Sequence, residues 1–368
     1  MSAMPGPRWL AGLAVLLCAL AAHAHVVAGT KTLRGLVAEA DLVLRARIIA
    51  SSEGLESAPE QPGQARPWVE ARVLEVLKGE LEAPRVRFAQ HGHGVAGFTP
   101  GEETLLFLVD IARSRELAAL GRAGTFAWVS LQEHDEEYPL TPASRERLLG
   151  VTRAYAAAES ATSPAQRSAQ LREATLSLLV SGDSRLAASA IRDLVEDPAL
   201  ALIGAEDLPQ LLPVLDDPNA SMGVRVALLL ELERRGLVEA PPRWIRLLSS
   251  DAPTRDRVTA IRAAGATGEP VVRVQLVELL SDPDERVAGA AATALGAPDN
   301  AAAAAPLGAA LAHASPTVRN AAIRGLGRIA GPEARKVLQE AADGHPDAAT
   351  RRRAGAELRK RSATAKHD

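Results

Sequence analysis

A short phrase recurs along the second half of this 368-residue chain, and it limits the fold more than any other feature. Its clearest copy is SPTVRNAAIRGLGRIAG at residues 315–331. Aligned on the apolar residue that ends the AxxALG-like part, the copies fall in register roughly 31 to 38 residues apart: Leu194, Leu232, Ala264, Leu295, Leu326 and Leu358. This period is typical of a helical repeat array, in which each unit needs its neighbours to bury its apolar face.

Each repeat unit reads as two helices. An Xaa-Pro step lies just before the first helix, where proline is tolerated because its missing N–H is not needed. These prolines are Pro218, Pro253, Pro283, Pro316 and Pro346. Gly265, Gly296 and Gly327 are predicted to end the first helix as C-terminal caps. A second apolar stretch follows in LPQLLPVL (208–215), WIRLL (244–248), VVRVQLVELL (271–280) and ARKVLQEA (334–341).

The repeated phrase resembles HEAT repeats of the short kind found in phycobilisome lyases. This resemblance implies an α-solenoid over residues 183–361 whose second helices line a concave binding surface. Arg243, Arg246 and Arg273 fall on predicted second helices, so they are the candidate partner-binding residues; the alternative is that they are ordinary solvated positions beside a core stripe. The resemblance does not imply lyase activity, because no motif marks a bilin site.

A second set of arginines recurs at the start of the first helices, at Arg225, Arg257, Arg319 and Arg351. We expect these side chains to pair or cap between repeat units. The locally basic run RRRAGAELRKR (351–361) is expected as a polar cap on the last repeat. The alternative is contact with an anionic envelope surface. Residues 362–368 are expected to be a disordered tail.

Helical signals precede the array. Residues 142–180 contain two hydroxyl-then-proline starts, Thr141-Pro142 and Ser163-Pro164, followed by apolar periodicity. We expect a lead-in hairpin over 141–182 that covers the apolar end of the array. A disordered linker is the alternative for residues 156–168 only.

The period changes to that of strands between about residues 30 and 140. Five strand candidates are ADLVLRARIIA (40–50), WVEARVLEVLKG (68–79), PRVRFAQ (84–90), ETLLFLVD (103–110) and TFAWVSL (125–131). They predict a small barrel or sandwich over residues 25–140. EVLKG (75–79) and FTPGEETLLFL (98–108) resemble the OB-type barrels of netrin and tissue-inhibitor modules. Protease inhibition is not carried over, because the segment lacks the N-terminal Cys that this mechanism uses; an inhibitor-like role remains a third hypothesis.

The first 24 residues have the pattern of a secretory signal: Arg8, a short apolar run and Ala22-His23-Ala24 before the predicted cleavage site. Cys18, the only cysteine, lies in this run. The mature chain is therefore expected to be exported, to the periplasm or the medium, without a thiol. No second apolar run predicts a membrane span, and a formal charge of -3 gives no general attraction to nucleic acid.

Cleavage after Ala24 leaves His25 as an N-terminal histidine, whose amine and ring nitrogen can hold copper. His91 and His93 are the candidates to complete such a metal site. The acidic turn at 133–137 lacks the two-histidine spacing of a hydrolytic zinc site, and no nucleophile or phosphate-binding motif is present. The sequence therefore favours an exported, non-catalytic scaffold that binds a protein and needs no cofactor. The alternative is an exported metal-binding protein or enzyme with its site in the barrel.

Overall fold

The structure, a computed structural model, describes residues 31–52, 67–90, 97–113, 126–132, 136–196 and 203–364. These residues form two units that divide between Val214 and Leu215. The first unit holds a β-barrel and its covering helices, and the second holds HEAT-like repeats. The predicted signal segment, the 362–368 side chains and the loop at 53–66 lie outside the description.

Five strands close into a barrel in the first unit. They are β1 (Leu42–Ser51), β2 (Trp68–Lys78), β3 (Arg85–Ala89), β4 (Glu103–Asp110) and β5 (Trp128–Ser130). The order around the barrel is β1-β2-β3-β5-β4-β1, with β3 and β5 parallel and the other pairs antiparallel. A two-residue strand β6 (Tyr138–Pro139) also pairs with β4. This closed Greek-key arrangement confirms the predicted OB-like barrel.

The alternation in β1 explains how the barrel is filled. Leu42, Leu44, Ala46 and Ile48 point inward and pack with core residues from β2, β3 and β4, as the alternating sequence predicts. Strand β4 is buried along almost its whole length. Its outward-facing Phe107 lies against Tyr138, with ring centroids 5.8 Å apart. This second buried face explains why ETLLFLVD reads as a continuous apolar run instead of an alternating one.

A short helix, α1 (Leu33–Glu39), precedes β1 in a segment where the sequence predicts no helix. Thr32 caps its N-terminus, since the backbone N–H of Gly35 donates to Thr32 Oγ1 at 3.0 Å. At the other end, Lys78 Nζ donates to the carbonyl of Val37 at 2.6 Å. A seven-residue helix has too few turns to show a clear apolar period, so the sequence does not distinguish this segment from the strands that follow it.

Three further helices complete the first unit: α2 (Arg145–Ser160), α3 (Pro164–Leu179) and α4 (Ser184–Glu196). The predicted helical start at Ser163-Pro164 is confirmed, because Ser163 caps α3 and Pro164 is its first residue. Helices α2 and α3 form a hairpin; α2 also packs on α1 and β2, and α3 packs on α4. The first turn of α2 begins after Thr141-Pro142, close to the predicted start.

The repeats supply pairs of helices in the C-terminal part of the chain. The first helices are α6 (Met222–Arg234), α8 (Thr254–Thr267), α10 (Glu285–Leu295), α12 (Pro316–Arg328) and α14 (Ala348–Thr364). The second helices are α7 (Pro241–Leu248), α9 (Pro270–Glu278), α11 (Ala304–Ala309) and α13 (Pro332–Gly344). Helix α5 (Leu208–Asp216) spans the division between the units. Each first helix packs on the next, so the apolar stripes bury one another along the row.

Two of the three predicted glycine caps are wrong. Gly265 lies inside α8, which ends at the left-handed Gly268 (φ 73°), and Gly327 lies inside α12. Only Gly296 directly follows its helix. The shared reason for these glycines is contact between neighbouring first helices: a Cβ on Gly296 would lie 2.4 Å from Gly325 Cα, and one on Gly265 would lie 2.5 Å from Ala294 Cβ.

The recurring arginines connect and cap the repeats, as the sequence predicts. Arg319 Nη1 donates to the carbonyls of His313 and Ala314 at 2.9 and 2.7 Å, ahead of its own helix. Its Nε donates to Thr350 Oγ1 of the next repeat at 3.1 Å. Arg225 donates in the same manner to the Leu215 carbonyl, while Arg257 pairs with Asp282 of the following repeat. The arginine thus satisfies carbonyls that the loop leaves without partners.

Replacing Gly296 with alanine tests the helix contact. Because φ is -75° at this position, alanine fits the backbone there. The main obstacle is the collision with the Gly325 backbone, and the Arg328 side chain at 3.0 Å can move aside. We expect Gly296→Ala to lower the free energy of unfolding by about 1–3 kcal/mol, measured by denaturant titration. Gly289→Ala in the preceding helix is the control: its Cβ would meet only Thr317 Cγ2 at 3.6 Å, so we expect stabilisation of up to about 1 kcal/mol. Equal effects would contradict the packing explanation.

Candidate functional site

The candidate site is the row formed by α7, α9, α11 and α13, which we call the second-helix face. Two pairs of these helices pack side by side, α7 on α9 and α11 on α13. Their buried sides face the first helices, as Val272 and Leu276 of α9 show by being almost wholly covered. Their other sides are exposed, so this face is a surface made of evenly repeated helices.

The three predicted arginines lie on this face, and each pairs with a nearby aspartate. Arg243 and Arg246 of α7 share Asp216, at 3.5 and 2.5 Å. Arg273 of α9 contacts Asp299 at 3.0 Å. The structure therefore brings Arg243 and Arg246 together, with Arg273 on the neighbouring helix. Exposed pairs of this kind contribute at most about 1 kcal/mol to stability.

Trp244 lies between the two arginines of α7 and belongs to the core. Its side chain is fully buried, and its Nε1–H donates to Glu233 at 3.2 Å. Burial raises the pKa of Glu233, and the hydrogen bond from Trp244 opposes that shift. Trp244 is therefore a core residue and not a contact residue.

Two exposed valines on α9 are not among the residues that the sequence predicts for this site. Val274 is 63% exposed and Val271 is 42% exposed, and their spacing of three residues puts them on one side of the helix. The signal was present in VVRVQLVELL, which holds more aliphatic residues than one buried stripe needs. These two solvent-exposed aliphatic side chains next to Arg273 are the most distinctive feature of the second-helix face.

A groove of about 860 Å³ opens beside α13. Leu311, Val337 and Ala341 form its apolar part, and His313 and His345 lie at its edge. The ring nitrogen Nδ1 of His345 accepts from the Asp347 N–H at 3.0 Å, and Nε2 lies 2.9 Å from the Leu311 carbonyl. These two contacts hold the His345 ring in place, so this histidine has a structural role. The groove adds a recess to the second-helix face.

The predicted metal residues His25, His91 and His93 lie outside the described residues, and so does most of the acidic turn at 133–137. Within the described ranges, no group of three histidine, cysteine, aspartate or glutamate side chains is placed to hold a metal ion. No helix in that part of the chain is long and apolar enough to cross a membrane. The metal prediction therefore stays a prediction.

The first unit contains one buried carboxyl group with an unusual environment. Asp193 of α4 is 5% exposed; its Oδ1 accepts from Thr32 Oγ1 at 2.6 Å, and its Oδ2 is buried without a hydrogen bond. Nearby Ser189 Oγ accepts from the Leu33 N–H at 3.1 Å. Burial raises the pKa of Asp193 to about 7, while the Thr32 hydrogen bond and Arg34 oppose the shift. These contacts attach α1 to α4, so the group has a structural role.

Comparison with known proteins agrees with this architecture. The family model for HEAT repeats matches residues 241–314 and 304–366. No curated protein sequence matches the chain. Among solved structures, human deoxyhypusine hydroxylase in complex with glycerol is similar over 60% of this chain and 88% of its own, with 22% identity and a TM-score of 0.31. A similarity at this level supports no conclusion about activity.

The C-terminal part of the chain thus consists of HEAT repeats. The repeats follow an OB-like five-stranded barrel in the same chain. HEAT repeats are a class of α-solenoid in which stacked helix pairs create extended binding surfaces.

The environment of Asp193 predicts a pH dependence of stability. Its pKa is about 7 in the folded chain, against an ordinary value of 3.8 for an aspartate, so the folded chain holds a proton that the unfolded chain releases. The carboxyl therefore makes stability fall as pH rises from about 4 to 7, by roughly 4 kcal/mol in total. We expect Asp193→Asn to flatten this slope and to raise the melting temperature at pH 8.

Thermal unfolding between pH 5 and 8 measures this effect. Asp183→Asn on the same helix is the matched control, because Asp183 is an exposed cap that accepts from the Arg185 and Leu186 N–H groups at 2.9 and 3.1 Å. The control is expected to keep the wild-type slope. An unchanged slope in Asp193→Asn would show that this carboxyl does not titrate in the window.

Proposed function

We propose that the protein is an exported, non-catalytic scaffold whose second-helix face binds a segment of a partner protein. The observation that carries this proposal is the exposure of Val271 and Val274 on one side of α9. A partner that presents aliphatic side chains flanked by carboxylates has the chemistry to match. We propose this face as the concave side of the solenoid.

The valines would provide most of the binding energy. Fully burying a valine side chain is favourable by about 1.5–3 kcal/mol, and Val274 retains more than half of its surface in water. Apolar anchors near the centre of an interface commonly dominate affinity, while the polar rim contributes less. An aliphatic side chain of the partner, seated between Val271 and Val274, is therefore the core of the proposed contact.

The arginines would determine orientation and partner choice. Arg246 is 61% exposed although it contacts Asp216, so its guanidinium can accept a second carboxylate on its open side. Arg273 flanks the valines on the same helix and contacts Asp299, itself 54% exposed. Charges at the rim of an interface mainly affect the association rate and specificity. We therefore assign the two arginines a role in partner choice and not in affinity.

The groove beside α13 extends the same surface. Gly308 contributes to its narrow wall, since a Cβ there would lie 3.1 Å from Val337 Cγ1. Many shallow contacts on such a rigid surface suit a protein partner better than a small molecule.

Site-specific cross-linking in intact cells tests both binding and export. The chain has one cysteine, Cys18, so a Cys18→Ala background allows a single photoreactive label at Val274→Cys. We expect one covalent adduct with a protein partner, recovered from the fraction outside the cytoplasm. Adding Arg246→Glu should reduce its yield severalfold, because it repels a partner carboxylate.

Val180→Cys is the control, since Val180 is also an exposed valine (42%, against 63% for Val274) but lies in the first unit. Its label should give no adduct with that partner. If both labels trap the same protein equally, or if neither traps any, the binding proposal is contradicted. An adduct found only in the cytoplasm would contradict export and leave the binding face intact.

A further inference from the structure

The register of the barrel places three arginines directly opposite one another. Arg47 of β1 is paired with Arg72 of β2, and Arg72 is paired with Arg85 of β3. All three point outward and are exposed. Neighbouring strands lie about 4.8 Å apart, so this arginine row spans roughly 10 Å of the outer barrel surface.

This arrangement costs stability, because like charges directly opposite each other on a sheet repel. The nearby carboxylates neutralise it only in part. Glu103 is shared by three arginines: Arg45 at 2.7 Å, Arg47 at 3.5 Å and Arg145 at 3.3 Å. Burial opposes ionisation of Glu103, but its hydrogen bond from Arg45 and the neighbouring charges hold its pKa below the ordinary value.

The positive charge at the centre of the row, on Arg72, is the least neutralised by carboxylates. Arg85 contacts Glu70 at 3.4 Å with 60% of its side chain exposed. The Arg72 side chain makes no ion pair or hydrogen bond with any residue that the structure describes. A surface that keeps an uncompensated guanidinium between two others is preorganised for several oxyanion groups.

The surroundings of the row restrict the ligand. Ile49 and Leu74 are exposed by 38% and 39%, and they lie two residues along β1 and β2 from Arg47 and Arg72. On the next row, the Arg87 guanidinium lies 4.0 Å from the ring centroid of Trp68 and 5.5 Å from that of Phe126. The half-buried aromatic rings are thus already occupied by an arginine.

These features separate three classes of polyanion. Single-stranded nucleic acids bind through open aromatic faces on which bases stack, and Arg87 covers the rings that would serve. An acidic peptide would gain most by pairing with a free strand edge, but pairing of β1 with β4 closes the barrel. A sugar chain needs neither: its acidic groups suit the guanidinium row, and its less polar ring faces suit Ile49 and Leu74.

We propose that the outer face of β1, β2 and β3 binds an acidic polysaccharide, whose carboxylate or sulfate groups contact Arg47, Arg72 and Arg85. The polymer lies across the strands, along the arginine row. Its binding is electrostatic, so it weakens as salt screens the charges. This site is on the barrel and is independent of the second-helix face.

Calorimetric titration of the full chain with polygalacturonate and dextran sulfate tests the proposal. Neutral dextran, a single-stranded thymidine oligomer and phosphatidylglycerol vesicles are the comparison ligands. We expect binding to at least one acidic polysaccharide, and Arg72→Ala should weaken it at least fivefold. The same substitution should leave the melting temperature unchanged or raise it, because it removes the central repulsion.

Arg147→Ala is the matched control, since Arg147 is an exposed arginine of α2 outside the row. It should bind the polysaccharides as the wild type does. Equal weakening by both substitutions would show only a general charge effect and would overturn the proposal. It would also be overturned by stronger binding of the oligomer or the vesicles, or by the absence of binding to both acidic polymers.

Discussion

Close contact between neighbouring first helices is the constraint on which the repeat array depends. At the tightest point, Gly296 meets the backbone of Gly325, and no larger side chain fits between them. This contact sets the distance between repeats, and the apolar stripes then bury one another at that distance. The position of each second helix follows, because it packs on the first helix of the next repeat. The exposed face that we propose for binding is therefore a consequence of small residues on the other side of the repeat.

Polar groups play a complementary part where helices end. Arg319 donates hydrogen bonds to the carbonyls ahead of its helix and also contacts Thr350 of the following repeat. One side chain therefore caps a loop and connects two repeats. In the first unit, Thr32 caps α1 and also contacts Asp193 of α4. Both cases follow from the same rule: helix ends leave backbone groups that need partners. The cost is a buried carboxyl group with an unsatisfied oxygen.

The repeat and strand patterns made most of the fold predictable. Period and alternation located the five strands and the paired helices, because both are properties of neighbouring residues in sequence. Features that depend on contacts between residues far apart in sequence could not be predicted from these patterns. The role of Gly265 and Gly327 depends on the helix opposite, and the arginine row depends on strand register. The exposure of Val274 depends on which side of α9 its neighbours leave uncovered. The family resemblance predicted the second-helix face but not these valines.

The central claim is that each repeat is held by its neighbours along the row. Hydrogen exchange of the full chain, followed by mass spectrometry, tests it directly, because local opening reports how well each helix is covered. Helices α10 and α12 each pack between two first helices, whereas α14 contacts only one among the described residues. We predict slower exchange in α10 and α12 than in α14. Exchange in α14 as slow as in α10 would contradict the account.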